Sequence, residues 1–165
     1  MADATFESVP LVTPAEKRLN KASSIISSSV GWAAASAAIP LPFVDLAALA
    51  AVQGNMINDL CHLYGQTVSK QVVQSVLGVL LGTLVPGGIA SAVGSSAKFM
   101  PGVGTVMGAV MLAGTGAAAT YAIGKVFVKH FEAGGTIENF SPAAVSADLQ
   151  KEFAASSPKP KPATP

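Results

Sequence analysis

Between Gln71 and Gly124 the chain carries one charged side chain, Lys98, and no histidine. Few folds accommodate such a stretch. Its backbone amides and carbonyls must be paired within regular structure, and its apolar surface must be covered by protein or by lipid. A membrane-spanning helix needs about 20 mainly apolar residues, a length that both 71–97 and 99–124 reach. The first stretch is interrupted by Pro86-Gly87-Gly88, which predicts a helical hairpin or re-entrant segment. The second opens on the turn Met100-Pro101-Gly102-Val103-Gly104, then reads as one helix to about Phe131, where Gly134-Gly135 stops it.

The rest of the chain is also helical in pattern. Thr13-Pro14-Ala15-Glu16 has the form of a capping box with proline at the first helical position. It starts a helix expected to end at Ile39-Pro40-Leu41-Pro42. A second helix is expected from Phe43 or Asp45 to Tyr64, with Gly65 as its C-cap. On it Leu46, Leu49, Met56, Leu60 and Leu63 recur at helical spacing, while Asn55, Asn58, Asp59, His62 and Gln66 share a polar face. Asp45 reads as an N-cap immediately after a helix breaker, or else as an intramembrane carboxylate. The expected organisation is an N-terminal arm at 1–12, a helical domain at 13–140, a short terminal helix at 141–155 and a disordered Pro/Lys tail at 156–165.

Small residues recur in steps of four. Gly78 and Gly82 form a GxxxG pair, as do Gly104 and Gly108, and Ala109 and Ala113 continue the step. In lipid such strips let helices pack by close backbone approach. In water each interior glycine weakens a helix by roughly 0.5–1 kcal/mol relative to alanine. The fold class read from these features is all-α: Gly/Ala-rich hairpins in a membrane-associated bundle that self-associates.

Several functions are disfavoured. Ten basic residues, scattered along a chain of net charge +1, give no nucleic-acid footprint. One cysteine excludes an internal disulfide. The only Gly-Lys, Gly124-Lys125, lacks the flanking residues of a phosphate-binding loop. Asp59, Cys61 and His62 point in different directions on a helix and do not make a zinc site. No catalytic set and no cofactor are expected. Residues 1–14 have no basic region followed by an apolar run, so no secretory signal is expected there. Trp32, Tyr64 and Tyr121 are candidates for membrane-interface anchors.

The ordered set Pro40, Pro42 and Asp45, then Leu63-Tyr64-Gly65, Pro101-Gly102-Val103-Gly104, Ala119 to Lys125 (with Tyr121 and Gly124), His130-Phe131-Glu132 and Gly134-Gly135 resembles the bacterial YcjF-type domain of unknown function. The resemblance covers about residues 17–140. It implies a membrane-linked helical module that works beside a small GTP-binding domain, and it brings no catalytic residues. These 165 residues hold no GTP-binding domain, and a separate GTPase is the expected partner. The expected role is a non-catalytic membrane scaffold or adaptor, with membrane lipid, a second copy of itself and a GTPase as partners. The alternatives are a pore or channel former and a soluble helical assembly unit. Lys17, Arg18 and Lys21 before the apolar region, and Lys125 and Lys129 after it, predict a bacterial inner-membrane location with both ends cytoplasmic.

Overall fold

A computed structural model describes residues 12–36, 44–84 and 104–157, omitting the side chains of 44–46 and 104–112. Ser156 ends the last helix and Ser157 caps it, whereas the expectations at Pro40, Pro42, Pro86, Lys98, Pro101 and Gly102, and at 1–11 and 158–165 in the two tails, lie outside the described residues. So do the side chains of Asp45 and Ala109, and the surroundings of Gly104 and Gly108. The described residues form five helices: α1 (Pro14–Ser36), α2 (Val44–Leu63), α3 (Lys70–Leu84), α4 (Gly104–Glu132) and α5 (Pro142–Ser156).

Local chemistry sets the helix ends. The Thr13 amide donates to Glu16 Oε2 at 2.7 Å while the Glu16 amide donates to Thr13 Oγ1 at 3.2 Å, a reciprocal capping box. After α2 the chain turns at Gly65, with φ of 71°, and after α4 at Gly134, with φ of 83°. Both are left-handed positions that a side chain would strain. Ser141 caps α5 by accepting from the Ala144 amide, with Pro142 next to it.

Helices α1, α2 and α4 make a three-helix bundle with a consistent register. Gly116 lies against Leu49, Thr120 against Gln53 and Phe131 against Tyr64, so α2 and α4 run parallel. Ala33 is at Gly116, Ile26 at Gly124 and Arg18 at Glu132, so α1 runs antiparallel to α4. Helices α3 and α5 pack together, and α5 also lies along α4. Leu149 is fully buried, so α5 is part of the core and not a peripheral tail. Met56, Ile57, Leu60, Leu80, Ile123 and Phe127 fill the interior with Leu149. Each such side chain contributes roughly 1.5–3 kcal/mol by leaving water.

The expectation of membrane-spanning helices is not met among the described residues. No described helix is long and apolar enough to cross a membrane. Helix α3 is the described part of the first neutral stretch and runs to Leu84, where the described residues stop. Helix α4 has 29 residues, and the side chains of 113–132 are described. Of its described side chains, Ile123, Val126 and Phe127 are turned into the bundle.

The glycines divide by surroundings. A Cβ on Gly124 would come within 2.7 Å of the Ile26 side chain, whereas Gly78 and Gly82 are exposed with open space around them. Gly124→Leu should therefore destabilise the fold by about 2–4 kcal/mol through forced separation of α1 and α4. Gly78→Ala and Gly82→Ala should each stabilise it by up to about 1 kcal/mol. Urea unfolding followed by circular dichroism reads both effects; equal loss of stability at all three positions would contradict this packing.

Candidate functional site

The bundle has two unlike poles. One is formed by the start of α1, the end of α2, the end of α4 and the loop that follows it. Here the Arg18 guanidinium grips Glu132 with two donors, Nε to Oε1 at 3.0 Å and Nη2 to Oε2 at 3.1 Å. The Tyr64 hydroxyl donates to Glu132 Oε1 at 2.7 Å, and Arg18 lies over the Tyr64 ring at 5.3 Å. Two-point hydrogen bonding orients the guanidinium as a single cation could not. These bonds hold the Glu132 carboxyl below the usual carboxylate range, the Arg18 bond being the largest cause. Burial first, then the bond to Glu132, pushes the Tyr64 phenol up to about 12.

The neighbouring loop is secured in the same way. The Gln66 side chain donates to the Gly135 carbonyl at 3.1 Å and accepts from the Ile137 amide at 2.6 Å. His130 Nε2 lies 3.0 Å from the Thr136 carbonyl and 2.9 Å from Asn139 Oδ1. Asn139 Oδ1 also accepts from the Thr136 amide, so both neighbours of Nε2 are acceptors and the ring donates from it. The His130 ring lies across Gly135, where a Cβ would fall 2.3 Å from it, which is why glycine stands there. Phe127 stacks on Phe140 at 4.3 Å beneath this loop. Lys129 pairs with Asp148 and ties α4 to α5.

At the other pole α1 ends while α2 and α4 begin. Ala22 to Ser36, Leu46 to Asn58 and Gly104 to Gly124 contain no Asp, Glu, Lys, Arg or His. The helix register brings the last charges before this zone, Lys21, Asp59 and Lys125, to nearly one level. From there about 22 Å of α1 and about 30 Å of α4 run on without charge. Asp45, in the first turn of α2, is the exception. Trp32 stands on this part of α1 with 68% of its surface exposed, and Tyr121 on α4 is 38% exposed. The outward positions of α1 here are Ser23, Ser24, Ser27, Ser28, Gly31 and Ala35.

Among the residues expected to matter, Tyr64, Gly65 and the His130 to Gly135 segment are brought together at the charged pole. Gly124 is buried against α1, and Ala113 is half-buried on α4. Gly78 and Gly82 sit apart, on the open side of α3. The seam within the bundle is a different four-residue step, Gly116, Thr120 and Gly124. Sequence reading missed Gln53 and Thr120, both fully buried: Gln53 Nε2 approaches Thr120 Oγ1 at 3.4 Å, and that hydroxyl donates to the Gly116 carbonyl at 2.9 Å. It also missed the Arg18–Glu132 pair, whose members are separated by most of the chain. Cys61 is buried, and desolvation raises its thiol to about 11, which makes it a poor nucleophile. Among the described residues no group of three His, Cys, Asp or Glu side chains could hold a metal.

These features define a small all-α bundle with one hydrogen-bonded, charged pole and one neutral pole. A model of a domain of unknown function, DUF697, matches residues 13–155. The chain belongs to the DUF697 family, in keeping with the YcjF-type resemblance of its motifs. A protein named magnetosome membrane protein 22, from Magnetospirillum gryphiswaldense, is 41% identical over 133 residues, covering 80% of this chain and 68% of that one. No solved structure matches the chain.

The Arg18–Glu132–Tyr64 cluster gives stability a defined acid dependence. The folded carboxyl titrates below its ordinary value of 4.5, so its contribution is present above that value and is lost as pH falls through the folded value. Asp148, lowered by Lys129, acts in the same sense. Glu132→Gln should shrink the loss of stability below pH 4.5 without abolishing it, since Asp148 remains. Chemical denaturation at stepped pH would show this; an unchanged acid limb would remove Glu132 from the account.

Proposed function

We propose that this chain is a non-catalytic helical scaffold bound to the cytoplasmic face of a bacterial inner membrane, with its neutral pole against the bilayer and its charged pole toward protein partners. The axial division of charge carries this reading. A charged side chain taken into the bilayer costs about 2.5–3.5 kcal/mol even on permissive scales, and nearly all charges of the three-helix bundle are gathered at one end. Trp32 extends from the neutral zone into solvent, and tryptophan favours the membrane–water interface. The relative named a magnetosome membrane protein supports a membrane role. Attachment of this kind needs no spanning helix.

Two finer features belong to the same proposal. The family's resemblance to modules that follow GTP-binding domains supports a separate GTPase as the class of partner. The open, uncharged face at Gly78 and Gly82 supports self-association, since bulky side chains do not hold a neighbouring backbone away there.

Trp32 is the only tryptophan, so its emission reports the neutral pole directly. With anionic phospholipid vesicles the chain should float with the lipid and the emission should shift to the blue. Ala35→Glu, an exposed position in the neutral zone, should cut vesicle binding by about tenfold or more and leave the helical signal intact. A chain that stays with the aqueous fraction, with unshifted emission, would overturn the reading.

A further inference from the structure

Between α2 and α3 the described residues leave an open groove of about 640 Å³. Its walls are graded along its length. Asn55 and Asn58 of α2 and Lys70 and Gln74 of α3 line one end, whereas Ala47, Ala50, Leu77 and Leu81 line the other. Gly54 and Gly78 sit between, and the absence of side chains at both widens the slot; a Cβ on Gly54 would meet only Val73 at 3.9 Å and Leu77 at 4.0 Å. From Ala47 to Asn58 the groove follows α2 for roughly 16 Å.

We infer that this groove binds one acyl chain of an anionic phospholipid, with the headgroup phosphate at Lys70. Charge complementarity selects the occupant. Lys70 is exposed and makes no ion pair among the described residues. It opens a helix of 15 residues whose first turn has no acidic side chain, where the helix dipole also favours an anion. The asparagine and glutamine side chains beside it suit a headgroup, and the alanine and leucine walls beyond suit a hydrocarbon tail. The gradient also has a fixed direction in the fold. The polar end lies toward the end of α2, at the charged pole, and the apolar end toward the start of α2, at the neutral pole. A phospholipid so bound has the same orientation as its neighbours in a leaflet touched by the neutral pole. The choice of ligand rests on the membrane reading proposed above; the groove and its gradient stand apart from it.

The test uses the full chain and phosphatidylglycerol carrying a photoreactive diazirine in one acyl chain, presented in vesicles, with cross-links mapped by peptide mass spectrometry. Cross-links are expected in residues 47–58 and 73–81. Gly78→Leu fills the slot from a position with open space around it and should reduce them by about tenfold. Gly82→Leu, equally open but not part of the groove wall, should leave them unchanged. Lys70→Gln should reduce labelling by phosphatidylglycerol by about fivefold and abolish its preference over phosphatidylcholine. Cross-links confined to other segments, or undiminished by Gly78→Leu in a chain that still floats with vesicles, would overturn the groove and leave the membrane reading standing. Binding of monomeric lauroyl-lysophosphatidylglycerol that Gly78→Leu abolishes, in a chain that does not float, would support the groove while the membrane reading fails.

Discussion

The close approach of α1 to α4 is the constraint on which the other contacts depend. Gly124 lets the Ile26 side chain lie against the α4 backbone, and eight residues earlier Gly116 stands near the Ala33 carbonyl. Ala22, Ala33, Ala119 and Ala122 are all buried around this seam. Small side chains give little area per residue, so the helices gain by packing backbone against backbone rather than by depth of burial. The fixed spacing then aligns Arg18 with Glu132 and brings the Tyr64 hydroxyl to the same carboxylate. A wider crossing would take both donors out of reach. The polar pole is thus a consequence of the apolar seam.

The buried Gln53 occupies the corresponding place between α2 and α4. Its amide nitrogen has Thr120 as partner, and its Oε1 has none among the described residues. A buried amide oxygen without a donor is costly, so this pair specifies the register of α2 on α4 more than it stabilises it. Slippage by a turn would leave both ends of the amide unpaired. The register of the three helices, and with it the level at which charge ends, is therefore set by shape at Gly116 and Gly124 and by polarity at Gln53 and Thr120.

Much of the secondary structure was legible in the sequence because its signals are local. The Thr13 capping box, the left-handed Gly65 and Gly134, and the Ser141-Pro142 start are each written within a few residues. The step from a neutral stretch to a membrane span is of another kind, and no described helix is long and apolar enough to cross a membrane. Freedom from charge is common to a helix in lipid and a helix at the centre of an Ala/Gly-rich bundle, and only the three-dimensional partner distinguishes them. Of the neutral stretch ending at Gly124, the described residues Gly116, Ala118 to Thr120 and Ala122 to Gly124 are buried in the bundle. The glycine steps were ambiguous for the same reason: Gly78 and Gly124 look alike in sequence, yet one faces open space and the other an isoleucine. Pairs such as Arg18–Glu132 and Gln53–Thr120 had no local signal, because antiparallel and parallel packing brought together residues with no periodic relation.

The family motifs gain a physical meaning from this arrangement. Leu63-Tyr64-Gly65 and the segment from His130 to Gly135 are distant in sequence but form one hydrogen-bonded corner. Tyr64 is needed for its hydroxyl, Gly65 and Gly134 for their backbone angles, and Gly135 for the space that His130 occupies. None of these roles requires a substrate. In this chain the motif residues at this corner hold one another in place. Functional variation is then free to act on the faces those motifs leave open: the neutral pole around Trp32, the bare side of α3, and the groove between α2 and α3. Apart from Lys70 in the groove, the described side chains of these faces are mostly uncharged. Single substitutions on these faces can change what they present without disturbing the seam between α1 and α4.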